Sequence, residues 1–406
     1  MAVLDASSDH AGQIASRWHG EAFADERALR RFAENARTIF PTLDRHHDVE
    51  WIAVAHDWPS NELLVLVDRE DNRIVGMAPF AIAQEPLIYA LGPFELLRLN
   101  IRQFKLYQDV TTMRAVPEEA IASCFEVLVQ SMPRVVCASS IPIGSDLHRQ
   151  LLEPTSAVRR HFYVLPWGGE SPHCRIRWEG NFEKYLASIG KVSRKDLRRN
   201  ARALFTDTTL DAKVRRFQSP EDVDVFLQDG ISVSDKTYQK RDLGLGISLG
   251  GPLERVMRYA AAHNGFLGYI LYINGTPAAF EYALLCGKTC TMMQAGYDPT
   301  WAGRQIGSVL FFEVLRDFER IGLRADWLDL LPGINLFKLR VANDKRQIRR
   351  FYLFSRTPAG TILFLTLMAT DWLSRAVGAL VAGHRDDDLQ KYLARAKTGW
   401  RKKKHA

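Results

Sequence analysis

The chain has 406 residues, room for two to three domains at about 150 residues each. Its formal net charge of +7 resides in the last 16 residues, where Lys391, Arg395, Lys397, Arg401, Lys402, Lys403 and Lys404 meet no acidic partner; the rest balances, 47 basic against 47 acidic, so the basicity does not mark a nucleic-acid-binding body and no DNA partner is expected. The five cysteines, Cys124, Cys137, Cys174, Cys286 and Cys290, form no CxxC pair, which excludes a disulfide framework and a zinc site, and no metal is expected.

In chain order, the N-terminus shows no basic stretch followed by an apolar one, so no signal peptide is apparent and the expected location is the cytosol. Residues 62–67 and 73–80 read as strands joined by the polar turn DREDN, 118–130 as a helix and 135–139 as a further strand. Ser193-Arg194-Lys195-Asp196 reads as a capping box that opens a helix to Phe205. Arg194, Lys195, Arg198, Arg199 and Arg202 crowd its exposed side, either as a solvated face or as a surface for an anionic substrate, with Arg198 and Arg202 as the substrate-binding candidates. Tyr238 and the loop 242–246 (DLGLG) that follows it read as a substrate lid.

The most informative run is 264–343. Residues 265–273 (GFLGYILYI) and 277–286 are strands joined by Asn274-Gly275, a two-residue hairpin turn whose central residues need positive φ. Gly287-Lys288 turns the chain into a third strand, 289–297, giving an antiparallel meander. In 306–321, Leu310, Phe311, Val314, Leu315, Phe318 and Ile321 recur at helical spacing opposite Glu313, Arg316, Asp317 and Arg320. Gly322 stops this helix, WLDLL at 327–331 is a buried strand, and Pro332-Gly333 opens the next turn, so the helix is a crossover between strands. Downstream, 359–370 is uncharged, and Trp372, Leu373, Ala376, Val377, Leu380 and Val381 face away from Asp371, Ser374, Arg375 and Gly378. A spanning helix needs about 20 predominantly apolar residues, and Asp371 and Arg375 interrupt this one. Together with the cationic tail and Trp400, it reads as peripheral attachment to an anionic membrane surface, or as a helix packed on the preceding domain.

The segment AGYDPTWAGRQIGSVLFFEVLRDFERIGLRADWLDLLPGINLFKLR resembles the GNAT superfamily, and within it the CelD/BcsL-like (BioF-type) acetyltransferases of bacterial polysaccharide and cellulose biosynthesis, which are related to the FemAB-type transferases. The resemblance is strongest over 182–343, with 61–152 resembling a first copy of the same unit. It implies an α/β (α+β) fold of tandem GNAT-like acyl-CoA N-acyltransferase domains, each a mixed, mostly antiparallel sheet flanked by helices. The expected division is 1–165 (a degenerate first domain), 166–356 (the acetyltransferase domain) and 357–406 (amphipathic helix and basic tail).

A GNAT-type site presents the free N–H groups of a helix N-terminus to a coenzyme pyrophosphate. The resemblance places that site at Arg304, Gln305, Ile306, Gly307 and Ser308, with acetyl-CoA or another acyl-CoA as co-substrate. The usual pattern of Gln or Arg, two residues, Gly, one residue, Gly or Ala is only partly kept: Ala302 stands where Gln or Arg is expected and Gln305 where the middle glycine is expected. Glu281, the lone acid of AAFEYALL, is the candidate general base, since burial raises a carboxyl pKa toward that of an amine; an exposed strand residue or an ion-pair partner would explain it equally. Tyr297 and Asp298 are candidates to protonate a departing thiolate or to orient a substrate, although an Asp-Pro turn after a core aromatic also accounts for them. Asp329, Gly333, Phe337 and Lys338 match the family pattern, so Lys338 and Asp329 are expected at the substrate.

Three readings follow. The first is transfer of an acyl group from acyl-CoA to an amine or hydroxyl of a small-molecule or lipid-linked sugar acceptor, in the cytoplasm or at the inner membrane face. The second is a FemAB-like transfer from aminoacyl-tRNA, with tRNA as partner through Arg194–Arg202. The third is a non-catalytic, membrane-docked scaffold of a polysaccharide assembly.

Overall fold

The computed structural model describes residues 18–383, apart from 93, 238–239, 241–243, 245 and 334. Tyr238, most of the 242–246 loop and the cationic tail therefore lie outside the described residues. The chain forms two interleaved units: Met1–Ala22, Asn61–Gly169 and Arg349–Ala406 make the first, Phe23–Ser60 and Glu170–Ile348 the second. This differs from three consecutive blocks in two ways. Residues 23–60 belong with the second unit, and of the segment expected to stand apart from residue 357 onward the described part, 357–383, belongs with the first.

In the first unit, β1 (Trp18–Glu21), β2 (Glu62–Glu70), β3 (Arg73–Leu91) and β4 (Phe94–Leu106) are successive antiparallel neighbours. The two-residue β5 (Thr111–Thr112) pairs with β3. β6 (Val135–Pro142) then lies parallel to β4, reached through the helix Pro117–Gln130. The β2–β3 turn is tighter than expected: β2 runs on to Glu70, and Asp71 and Asn72 both take positive φ, as a two-residue hairpin turn requires. Helix Pro117–Gln130 buries Ile121, Cys124, Phe125 and Leu128 on one face of the sheet. The helix Pro358–Gly383 covers part of the other face with Leu363, Phe364 and Leu367 against Leu87, Tyr89 and Phe354. Among the described residues, no helix is long and apolar enough to cross a membrane.

β7 (Phe162–Arg177) carries the chain into the second unit. There the same order recurs. β8 (Ala212–Phe217), β9 (Phe266–Ile273), β10 (Thr276–Cys286) and β11 (Thr289–Tyr297) are antiparallel neighbours, and β12 (Trp327–Pro332) lies parallel to β11 after the crossover helix Ile306–Arg320. The C-terminal part of β7 completes the sheet beside β12, and β13 (Asp344–Ser355) returns the chain to the first unit. The turn chemistry is as read: Asn274, Gly275, Gly287 and Gly322 all have positive φ. The crossover helix buries Leu310, Phe311, Val314, Leu315 and Phe318, each worth about 1.5–3 kcal/mol in apolar transfer. It packs on one face of the sheet with the helix Lys191–Phe205, while Val223, Phe226, Leu227, Met257 and Ala260 cover the other.

One expected boundary is corrected. The basic helix begins at Lys191 with Gly190 as its N-cap, and no side chain caps it. Ser193 therefore lies inside the first turn and is not the capping residue.

Candidate functional site

The second unit contains a cleft of about 420 Å³ where β11 and β12 part. The two strands pair only at Thr289 with Trp327, Cys290 with Leu328 and Thr291 with Asp329. Immediately beyond, β11 bulges: Tyr282 of β10 opposes Gln294 and Ala283 opposes Met292, leaving Met293 as the extra residue. A bulge bends its strand and ends regular pairing. Met292 to Tyr297 thus form one wall of the cleft, Leu330 and Leu331 the other, and Gln305, Gly307 and Ser308 of the crossover helix close one end.

Glu281 lies in this cleft, although only 5% of it is exposed. It sits between Tyr269 of β9 and Ala295 of β11, and burial alone pushes its pKa up to about 8. Ala279 and Ala283, which share its strand face, are buried too, so Glu281 is a cleft residue and not an exposed strand residue. Tyr297 also lines the cleft and is 40% exposed, with its ring against Gly307; a Cβ at 307 would come within 3.1 Å of that ring. A side chain at 307 would have to shift that partly exposed ring by a few tenths of an ångström.

Gln305 occupies the N-cap position of the crossover helix with φ 55, ψ 33, and no side chain caps the first turn. The family pattern has glycine here because the left-handed region is open to it without cost, whereas a side chain there costs about 1 kcal/mol. Gln305→Gly should therefore raise the melting temperature by a few degrees, and a lower one would mean that the glutamine side chain supports the loop. Because Ile306, Gly307 and Ser308 begin the helix, their N–H groups have no acceptor within it. A second cavity of about 280 Å³ adjoins the same helix start, lined by Gln305 and Ser308 together with Asp196, Arg199, Asn200 and Arg340. Arg340 adds positive charge where the helix dipole is already positive, whereas Arg199 is paired with Asp196 of the same cavity at 3.0 Å. Arg340 was missed in the sequence because it follows the matched pattern rather than belonging to it.

Of the remaining expected residues that are described, Lys338 lines the cleft and the others fall elsewhere. Arg304 turns away from the cleft and donates to Asp207 at 2.7 Å. Asp298 caps the short 3-10 helix Pro299–Arg304, accepting from Thr300 N at 3.0 Å and Thr300 Oγ1 at 2.7 Å, and pairs with Lys236 at 2.8 Å. Burial would raise its pKa, but Lys236 and Thr300 together hold it below the usual carboxylate range. Arg198 pairs with Glu183 and, with Arg202, lines a separate groove along the basic helix. Lys338 does line the cleft, and it is not freely solvated as surface lysines usually are: its Nζ donates to the carbonyls of Leu331 at 3.0 Å and Pro332 at 3.3 Å, and burial lowers its pKa.

Asp329 is buried behind the cleft wall. It accepts from Leu331 N at 2.7 Å and from His173 Nε2 at 2.6 Å, and His173 Nδ1 accepts in turn from Arg346 Nε at 3.3 Å. Burial favours the neutral acid, but the His173 contact and the nearby Arg45 leave the Asp329 pKa lowered. The network fixes Leu331, whose φ of 64 is a strained, left-handed value, and so sets the carbonyl that holds Lys338. Among the described residues, no group of His, Cys, Asp and Glu could hold a metal ion.

Residues 191–339 match the family described as acetyltransferase (GNAT) domain. No curated protein matches the chain. Among solved structures, FemX superposes with a TM-score of 0.58 at 8% identity, covering 83% of this chain and 97% of that one. A conserved protein of unknown function from Bacteroides thetaiotaomicron gives 0.50 at 12% identity, covering 79% and 97%. The C-terminal domain of a protein described as a lysylphosphatidylglycerol synthetase, from Agrobacterium fabrum, gives 0.48 at 10% identity, covering 83% and 95%. At these identities the likeness to FemX and to the Bacteroides protein is one of fold. The domain match makes the chain an acyltransferase with a GNAT-type catalytic domain in its second unit.

Proposed function

We propose that the chain transfers an acetyl or other acyl group from acyl-CoA to an amine or hydroxyl of a sugar- or lipid-linked precursor of polysaccharide or cell envelope, at the inner face of the membrane. The observation that carries this reading is the placement of Glu281, with its pKa near 8, in the same cleft as the uncapped start of the crossover helix. The N–H groups of Ile306, Gly307 and Ser308, with Arg340, fit the phosphates of a coenzyme, and the parting of β11 and β12 leaves room for its arm. An acyl-CoA bound there would supply an activated thioester carbonyl.

Glu281 takes the proton of the acceptor as the new bond to the acyl carbon forms. Its raised pKa suits this task, because a general base works best with a pKa near the operating pH. Tyr297, on the same cleft, gives a proton to the sulfur as the C–S bond breaks. The Lys338 ammonium, held on two carbonyls at the opposite wall, meets negative charge on the acceptor. The polysaccharide assignment rests on the resemblance of 295–340 to the CelD/BcsL-like branch.

Melting the purified protein with and without excess CoA or acetyl-CoA tests the donor. A ligand at 100 times its dissociation constant adds about 2.7 kcal/mol, which is several degrees. An upward shift supports acyl-CoA. No shift, with transfer activity abolished by RNase, would replace it by aminoacyl-tRNA.

A further inference from the structure

In the first unit, β3 and β4 run past the end of the sheet. β2 reaches β3 only as far as Ile82, and β6 reaches β4 only from Gln103 onward, so the far part of the β3–β4 hairpin is a two-stranded arm. A free two-stranded ribbon is marginal in water, and this one is braced on one face by the helix Pro358–Gly383. Tyr89 Oη lies 3.3 Å from Thr366 Oγ1, and Gly92 N donates to Ser374 Oγ at 2.8 Å near the tip.

The arm ends in unburied apolar side chains. Leu96 and Leu97 are 63% and 54% exposed, with Phe94 and Leu99 at 36% each. Leu96 is the extra residue of a bulge, since Leu97 opposes Tyr89 and Glu95 opposes Ala90. The bracing helix has a second apolar stripe besides the one it buries: Ile362, Leu365, Met368, Trp372 and Leu373, between 40% and 67% exposed. Apolar surface gathered in this way on a water-soluble unit marks a contact.

We propose that the arm tip and the outer stripe of this helix form one docking surface for an anionic lipid bilayer. Three features choose this occupant over a second copy of the chain. The helix carries an exposed tryptophan on its outer stripe, the residue favoured at the membrane interface. The projecting two-stranded arm suits insertion into a lipid surface better than a flat, self-complementary contact. Seven basic and no acidic residues occupy the last 16 positions, beyond Asp386, Asp387 and Asp388, which follow the helix; the seven are attracted to anionic headgroups at about 1 kcal/mol each, whereas two like tails repel across a symmetric dimer. The surface rests on the membrane-face reading above only for the location of the acceptor. Vesicle binding is read without any transfer, so either can fail alone.

The test is sedimentation of the full chain with phosphatidylcholine vesicles with and without phosphatidylglycerol, alongside its mass in solution. The wild type should pellet with phosphatidylglycerol vesicles and much less with phosphatidylcholine alone. Trp372→Glu with Leu373→Glu, or Leu96→Glu with Leu97→Glu, should each weaken binding about tenfold or more with melting temperature and acyl transfer unchanged. Wild type left in the supernatant, or variants pelleting like it, would overturn the proposal. So would a wild-type dimer that the same substitutions turn into monomers, since a second copy would then cover the surface.

Discussion

Glu281→Gln should lower turnover by about 10²–10⁴-fold, the usual worth of a positioned general base, and remove the rise of the pH profile below pH 8. In the wild type, kcat/KM should rise about tenfold per unit below pH 8 and level off above it, because the ionised fraction of Glu281 grows until its pKa near 8 is passed. Stability carries the opposite sign. The folded pKa lies above the ordinary glutamate value of 4.5, so between about pH 4.5 and 8 the native state holds a proton that the unfolded chain has released, and the wild type loses stability as pH rises through this window. Glutamine has no charge to bury. The variant's melting temperature should therefore gain on that of the wild type from about pH 4.5 to 8, with a constant offset above. An offset that does not change with pH would refute the buried, protonated carboxyl, and undiminished turnover would remove Glu281 from the chemistry.

Asp329→Ala carries the largest expected loss of stability. It removes the acceptor of His173 and of Leu331 N, and leaves Arg346 and Arg45 near a vacated buried position. Breaking a buried pair from one side costs about 3–5 kcal/mol, or roughly 6–20 °C in melting temperature for a unit of this size. Any folded variant should keep kcat within a fewfold but raise KM for the acceptor, because Asp329 does not line the cleft yet sets, through Leu331, the carbonyl that holds Lys338. A melting temperature within a degree of wild type, with transfer abolished, would return Asp329 to the role of substrate ligand.

The parts legible in the sequence were those with local causes. Asn274-Gly275 and Gly287 set the meander through turn sterics, and Leu310, Phe311, Val314, Leu315 and Phe318 revealed the crossover helix through its period. Glu281 stood out as the lone acid in an apolar strand. The outer part of β3, and β4 with it, escaped because Pro86 and a mixed run of charged and apolar residues break the alternation that marks a strand, and because a braced arm has no single buried face. The bond between His173 and Asp329 joins residues 156 apart, which no local pattern encodes. The anchoring of Lys338 depends on the strained carbonyl at Leu331 and is equally invisible. Gln305 stands where the family pattern has its middle glycine, and only the structure shows that it takes the left-handed conformation glycine adopts most freely.

The chain passes between its two units four times. During synthesis on a ribosome, the sheet of the first unit lacks its last strand until residues 349–355 are translated, long after its hairpins have emerged, and the second unit must take up residues 23–60 made well before its own body. Neither unit corresponds to a continuous stretch of the gene. Recombination that exchanges either half for a homologous one would part β13 from the first sheet and the helices of 23–60 from the second unit, so neither unit can be moved as one continuous piece.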